Sequence, residues 1–121
     1  MRHAHVLVLS LLVAVGAESA DVVKESGVGG GIFVHIGCGD PAALIAMKAP
    51  ASIVHGVDTD GKAVTAARKA IAAKGLYGPV SVDVFDGKAL PYIADTVNLL
   101  VAGDGSGVPR EEILRVLAPG G

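Results

Sequence analysis

The sequence predicts an α/β fold: a doubly wound, Rossmann-like parallel sheet in three α/β/α layers, incomplete at about four strands. Short apolar and β-branched runs alternate with helical patterns along the 121 residues. The connections between runs are of crossover length, as parallel strands require. The first strand runs straight into a glycine turn and a helix start. Composition agrees, since 51% of residues are hydrophobic but only 3% aromatic, with no Trp. Such a core is built from Val, Leu, Ile and Ala, which suits buried parallel strands under alanine-rich helices.

Residues 21–26 read as a short helix ending at Gly27, and Val28-Gly29-Gly30-Gly31 as a flexible entry to the first strand. That strand is Ile32 to Ile36, apolar or β-branched apart from His35, and it meets Gly37-Cys38-Gly39. Pro41 to Lys48 reads as a helix with Pro in its first turn, stopped by Pro50. Ala51 to Val57 is the second strand. Asp60-Gly61 opens the clearest helix, with Val64, Ala67, Arg68, Ile71 and Ala72 at 3.6-residue spacing and Gly75 closing it. Val80 to Phe85 alternates apolar and polar as a third strand, and Thr96 to Ala102 is a nearly all-apolar fourth. Pro109 to Leu117 is the last helix, with Glu111 and Glu112 near its start and Arg115 near its end, matching the helix dipole.

The N-terminus reads as an address. Met1-Arg2-His3-Ala4-His5 is a basic lead, Val6 to Val15 an apolar core broken only by Ser10, and Gly16-Ala17-Glu18-Ser19-Ala20 a small-residue exit. These are the three parts of a secretory signal peptide over residues 1–20, with cleavage after Ala17 and export as its consequence. The run is shorter than the ~20 residues of a spanning helix, so no stable membrane span is expected. Residues 21–121 then form the domain. A buried first helix or a misassigned start codon are the alternatives for the same residues.

A net charge of −2 without a basic stripe leaves no footprint for nucleic acid. One cysteine excludes an intrachain disulfide framework, and no His or Cys spacing suggests a metal site. His35 and His55 lie on adjacent strands and could sit side by side, with satisfied core or edge histidines as the default reading.

Ligands of such sheets bind at the carboxyl ends of the strands. Gly37 and Gly39 let a backbone approach a ligand closely, and the following helix start offers N–H groups. The second strand ends in Gly56-Val57-Asp58-Thr59-Asp60. The Asp58 carboxylate can accept two ribose hydroxyl protons, while Asp60, just before the helix, is assigned to capping. The third strand ends in Phe85-Asp86-Gly87, where Asp86 can accept from an adenine amino group or simply hold a turn. Cys38 has no base partner in view and reads as a packing residue. Asp104, in the loop after the fourth strand, is the only charged candidate for handling a second substrate, and a polar loop residue is its plain alternative.

Four segments together carry a resemblance: Gly37-Cys38-Gly39, Gly56-Val57-Asp58, Asp86-Gly87-Lys88-Ala89-Leu90-Pro91-Tyr92, and Arg115-Val116-Leu117-Ala118-Pro119-Gly120-Gly121. In that order, over residues 31–121, they are similar to the small-molecule branch of the class I S-adenosylmethionine-dependent methyltransferases. The resemblance implies a Rossmann-like domain truncated after its fourth strand–helix unit, binding S-adenosylmethionine. It implies Gly37 and Gly39 at the methionine end, Asp58 at the ribose and Asp86 at the adenine, with Cys38, Thr59 and Gly87 also among the cofactor-binding residues. It also implies methyl transfer to an unidentified small-molecule acceptor. The domain further resembles the N-terminal methyltransferase-like domain of secreted bacterial quinoprotein-like propeller proteins. Two positions depart from the family pattern: His35 replaces an acidic residue, and Pro41 a third glycine.

Two rival functions use the same residues. A dinucleotide-binding oxidoreductase would use Gly37-x-Gly39-x-x-Ala42 with Asp58 about 20 residues on. A non-catalytic module of an exported protein would keep the fold alone. A four-stranded sheet would also leave an uncovered edge, through which the domain could associate or meet a missing C-terminal region.

Overall fold

The computed structural model describes residues 6–9, 22–103 and 106–119. Five parallel strands form one sheet: β1 (Val6–Leu9), β2 (Gly31–Ile36), β3 (Ser52–Asp58), β4 (Val80–Val84) and β5 (Leu99–Gly103). Their spatial order is β4-β3-β2-β5-β1. The helices are α1 (22–26), α2 (Pro41–Ala46), α3 (Gly61–Ala73) and α4 (Arg110–Val116). From β2 the chain winds outward through β3 to β4, then returns to lay β5 on the other side of β2. The winding therefore reverses between β2 and β5, and the Gly37–Gly39 turn leaves β2 at that switch point.

The doubly wound parallel sheet is as expected, with one strand more than the four counted. The addition is β1, paired in parallel with β5 from Val6↔Leu100 to Leu9↔Gly103. These four residues fall within the stretch read as a leader, whose remainder lies outside the described residues. An apolar run of that length serves equally as a leader core or as a strand on an apolar edge, and periodicity does not separate the two.

Local chemistry accounts for the helices. Asp40 caps α2, its Oδ1 accepting from Ala42 N at 3.1 Å, with Pro41 at N1 where no intrahelical N–H is lost. Asp60 caps α3 in the same way through Lys62 N at 2.9 Å, the role assigned to it from sequence. The chain leaves α3 through Gly75 at φ +69°, a left-handed position that suits glycine. Helices α1, α2 and α3 cover one face of the sheet around Phe33, Val54, Val80 and Val82. Helix α4 covers the other face around Val34, Val57, Leu100 and Ala102. Gly56 has a steric reason: a Cβ there would stand 2.8 Å from Leu44 Cδ2 of α2.

Register settles the two histidines. His35 pairs with Gly56, whereas His55 pairs with Val34. Side chains alternate along a strand, so neighbours one step out of register face opposite sides. His35 and His55 therefore do not sit side by side; the sheet lies between them.

Candidate functional site at the carboxyl ends of the strands

The glycine turn is locked to the end of β3. Gly37 N donates to Val57 O at 2.6 Å, and Cys38 N donates to Asp58 Oδ2 at 2.8 Å. The other carboxylate oxygen of Asp58 accepts from Asp60 N at 2.9 Å. Asp58, the candidate ribose ligand, is thus also the tie between two strand ends. Each of its oxygens keeps a further lone pair, so the ties leave room for hydroxyl donors. Phe85 N donates to Asp58 O at 3.0 Å, and a Cβ on Gly87 would stand 3.0 Å from Thr59 Cγ2. Gly37, Cys38, Asp58, Thr59 and Gly87 are therefore brought together, with Asp86 beside them.

Two details differ from expectation. The amides expected to be free at the start of α2 are taken: Ala42 N by the Asp40 side chain, and Ala43 N by Asp40 O at 3.1 Å. Asp86 does hold a turn, its Oδ1 accepting from Lys88 N at 2.7 Å and Ala89 N at 2.8 Å. The Ala89 and Lys88 amides hold its carboxyl below the usual carboxylate range. Both bonds fall on one oxygen, so the turn and the adenine contact are compatible.

Cys38 is buried, and burial, with Asp58 nearby, pushes its thiol up to about 12. It packs and does not act as a nucleophile. His35 donates from Nδ1 to Gly37 O at 2.9 Å, the direction a carbonyl acceptor imposes. Burial lowers its pKa, against the opposing pull of the Gly37 carbonyl and Asp40. The ring is therefore neutral and braces the turn from below. Asp104 lies outside the described residues. Among the described residues no three His, Cys, Asp or Glu side chains cluster to hold a metal, and no helix is long and apolar enough to cross a membrane.

The residues that sequence reasoning missed lie behind the site. Glu112 and Arg115 of α4 grip the backbone of Leu90: Leu90 N donates to Glu112 Oε2 at 2.7 Å, and Arg115 Nη2 donates to Leu90 O at 3.2 Å. Arg115 also bonds Glu112, at 2.7 Å from Nε to Oε1 and 2.7 Å from Nη2 to Oε2. The Leu90-Pro91 and Arg115 segments, separate in sequence, are thus two halves of one contact. Their joint appearance was the available signal.

The glycine turn at a switch point, tied to an acidic residue ending the next strand, invites comparison with known folds. No family model matches the chain, and no curated protein matches it. Solved structures do. A geranyl diphosphate methyltransferase in complex with SAM superposes with a TM-score of 0.71 at 17% identity, over 85% of this chain and 45% of that one. A SAM-dependent methyltransferase from Aquifex aeolicus gives 0.69 at 20% identity, over 84% and 59%. The fold is that of S-adenosylmethionine-dependent methyltransferases. The [4+2]-cyclase SpnF shares it, with a TM-score of 0.69 at 25% identity over 84% of this chain and 41% of that one. The chain thus spans about half the length of these solved structures.

Proposed function

We propose that this chain carries the cofactor-binding half of an S-adenosylmethionine-dependent methyltransferase acting on a small molecule. The observation that carries the reading is the Cys38 N to Asp58 Oδ2 bond, which sets the glycine turn and the ribose-binding carboxylate in one rigid unit. The residues fit the cofactor. A Cβ on Gly37 or Gly39 would meet nothing within 4 Å, so open space adjoins the turn where a ligand would lie. Asp58 keeps lone pairs for two hydroxyls, and Asp86 Oδ2 keeps one for an amino group.

In this reading Gly37, Cys38 and Gly39 border the methionine end, Asp58 and Thr59 the ribose, and Asp86 and Gly87 the adenine. The cofactor, when bound, supplies a methyl group on a sulfonium. The chain's own part is to bind and orient, since in-line displacement at such a carbon depends chiefly on positioning. Asp104 remains the candidate for the acceptor side. The neutral His35 ring offers no negative charge to an ammonium, unlike the acidic residue it replaces.

A binding module without transfer activity is the second reading, favoured by the neutral His35 at the glycine turn where the family pattern has an acidic residue. We also propose that residues 1–20 act as an export leader; cleavage after Ala17 would remove β1 along with it. Calorimetric titration of the full chain with S-adenosylhomocysteine tests cofactor binding. Saturable binding is expected, weakened at least ~10-fold in Asp58→Ala on the loss of charge-assisted bonds. No heat at millimolar ligand, or saturable NADH binding in its place, would overturn the reading.

A further inference from the structure

A chain of side chains on the α4 face of the sheet is used by none of the cofactor residues, and its Tyr92 ring packs against the buried cluster there. His55 Nε2 lies 2.8 Å from Asp83 Oδ2, and His55 Nδ1 lies 2.6 Å from the Tyr92 hydroxyl. The carboxylate only accepts, so Nε2 carries the proton; in the neutral ring Nδ1 then presents a lone pair to the Tyr92 O–H. The two rings meet edge-on, with centroids 5.6 Å apart and planes at 89°. Arg68 Nη2 closes the far end on Asp83 Oδ1 at 3.2 Å. Asp83 thus orients His55, and His55 holds Tyr92.

Tyr92 belongs to the strap of residues 85–96 that joins β4 to β5 without a helix. Six residues earlier the same strap carries Asp86, and next to it Gly87 against Thr59. We propose that Asp83, His55 and Tyr92 form a latch that positions the Asp86–Gly87 rim of the site, making His55 and Tyr92 positioning residues for recognition of the adenine base. The proposal rests on the cofactor reading above. Leu90, gripped by Glu112 and Arg115, fixes the middle of the strap; Tyr92 fixes the end nearest the sheet's β3–β4 half. With both fixed, the strap holds the Asp86 turn in place, Oδ1 on the Lys88 and Ala89 amides and Oδ2 left for the base.

Two measurements on the full chain test the latch, using Tyr92→Phe, which keeps the ring and removes only the hydroxyl. First, amide hydrogen exchange without ligand: Lys88 and Ala89, bonded to Asp86, should exchange about 5–10-fold faster, the effect of one lost hydrogen bond of about 1 kcal/mol, while α3 amides keep their protection. Second, the ratio of affinities for S-adenosylhomocysteine and S-inosylhomocysteine: the unmodified chain should prefer the amino-bearing base, and Tyr92→Phe should lose most of that preference. A merely structural tyrosine would lower stability and leave the ratio unchanged, and that result overturns the proposal. So does unchanged exchange at Lys88 and Ala89. If Tyr92→Phe fails to fold, Asp83→Ala, altered at the exposed end of the chain, carries the same two readings. Absence of S-adenosylhomocysteine binding by the unmodified chain overturns the cofactor reading alone, and the exchange measurement still decides the latch.

Discussion

On one face of the sheet α2 and α3 bring Leu44, Val64, Ala67 and Ile71 down onto Phe33, Val54 and Val82, and every one of these side chains is buried. On the opposite face α4 covers the β2–β5 side, and the β3–β4 side lies under the helix-free strap 85–96. Ile53, on that side, is 56% exposed and Ile93 in the strap 79%. The first face is closed by apolar burial, which is non-directional and tolerant of detail. The second has an apolar cluster of its own, Leu90 of the strap included, and adds directed bonds from Glu112, Arg115 and His55 to particular strap atoms. A face without enough helix to bury needs its loop held atom by atom.

The contrast can be broken from either side. The largest effect is expected on the helix-covered face: Ile71→Ala should destabilise the fold by about 3–4 kcal/mol, lost burial plus a cavity, read from the urea midpoint. On the strap face Glu112→Ala should cost about 2 kcal/mol, because it leaves the buried Leu90 N–H without an acceptor. It should also speed exchange in the strap more than in α3. Changes of equal size with equal spread would show that the two faces do not differ.

Acid sharpens the comparison with smaller effects. Arg115, with the Leu90 amide, holds Glu112 below the usual carboxylate range. A carboxylate depressed in the fold stabilises it above about pH 4 and loses that contribution as pH falls through the folded value. His35, kept neutral by burial, behaves alike from a higher start: its contribution is present above about pH 6.5 and declines as the pH drops from there toward its folded value. Urea midpoints between pH 7 and 5 should fall in the unmodified chain and flatten in His35→Gln. Glu112→Ala should leave that upper stage intact and remove the part near pH 4.

What was legible follows the same division. The alternation of Val80, Val82 and Val84 and the 3.6-residue spacing of Val64, Ala67 and Ile71 are local signals, and the elements stand where they point. So is the capping role of Asp60 on α3, whereas the tie of Asp58 to the glycine turn is a contact across 20 residues that no local signal announces. The fastening of the strap was not legible, because its bonds join residues 22 and 37 positions apart, Leu90 with Glu112 and His55 with Tyr92. No periodicity encodes such pairs. The two histidines show the limit from another side: adjacent strands were evident, but a single step of register decides which face each one takes. Strand β1 was hidden because its four residues lie inside a stretch whose composition also fits a leader.

Arg68 has a consequence for anyone wishing to build on this molecule. Its guanidinium and the Tyr77 hydroxyl both donate to Val82 O, at 2.9 and 3.3 Å, while Val80 N donates to Leu76 O and Val80 O accepts from Gly78 N. The outward-facing polar groups of Val80 and the Val82 carbonyl are thus spent within the chain, and a strand arriving at β4 finds few partners. The β4 edge is blunted along Val80 and Val82, and the sheet's other edge is β1. A grafted strand, a tether for immobilisation or a split-protein junction belongs at the opposite edge, beside β1 or, once the proposed cleavage after Ala17 removes it, on β5 in the parallel register β1 occupies.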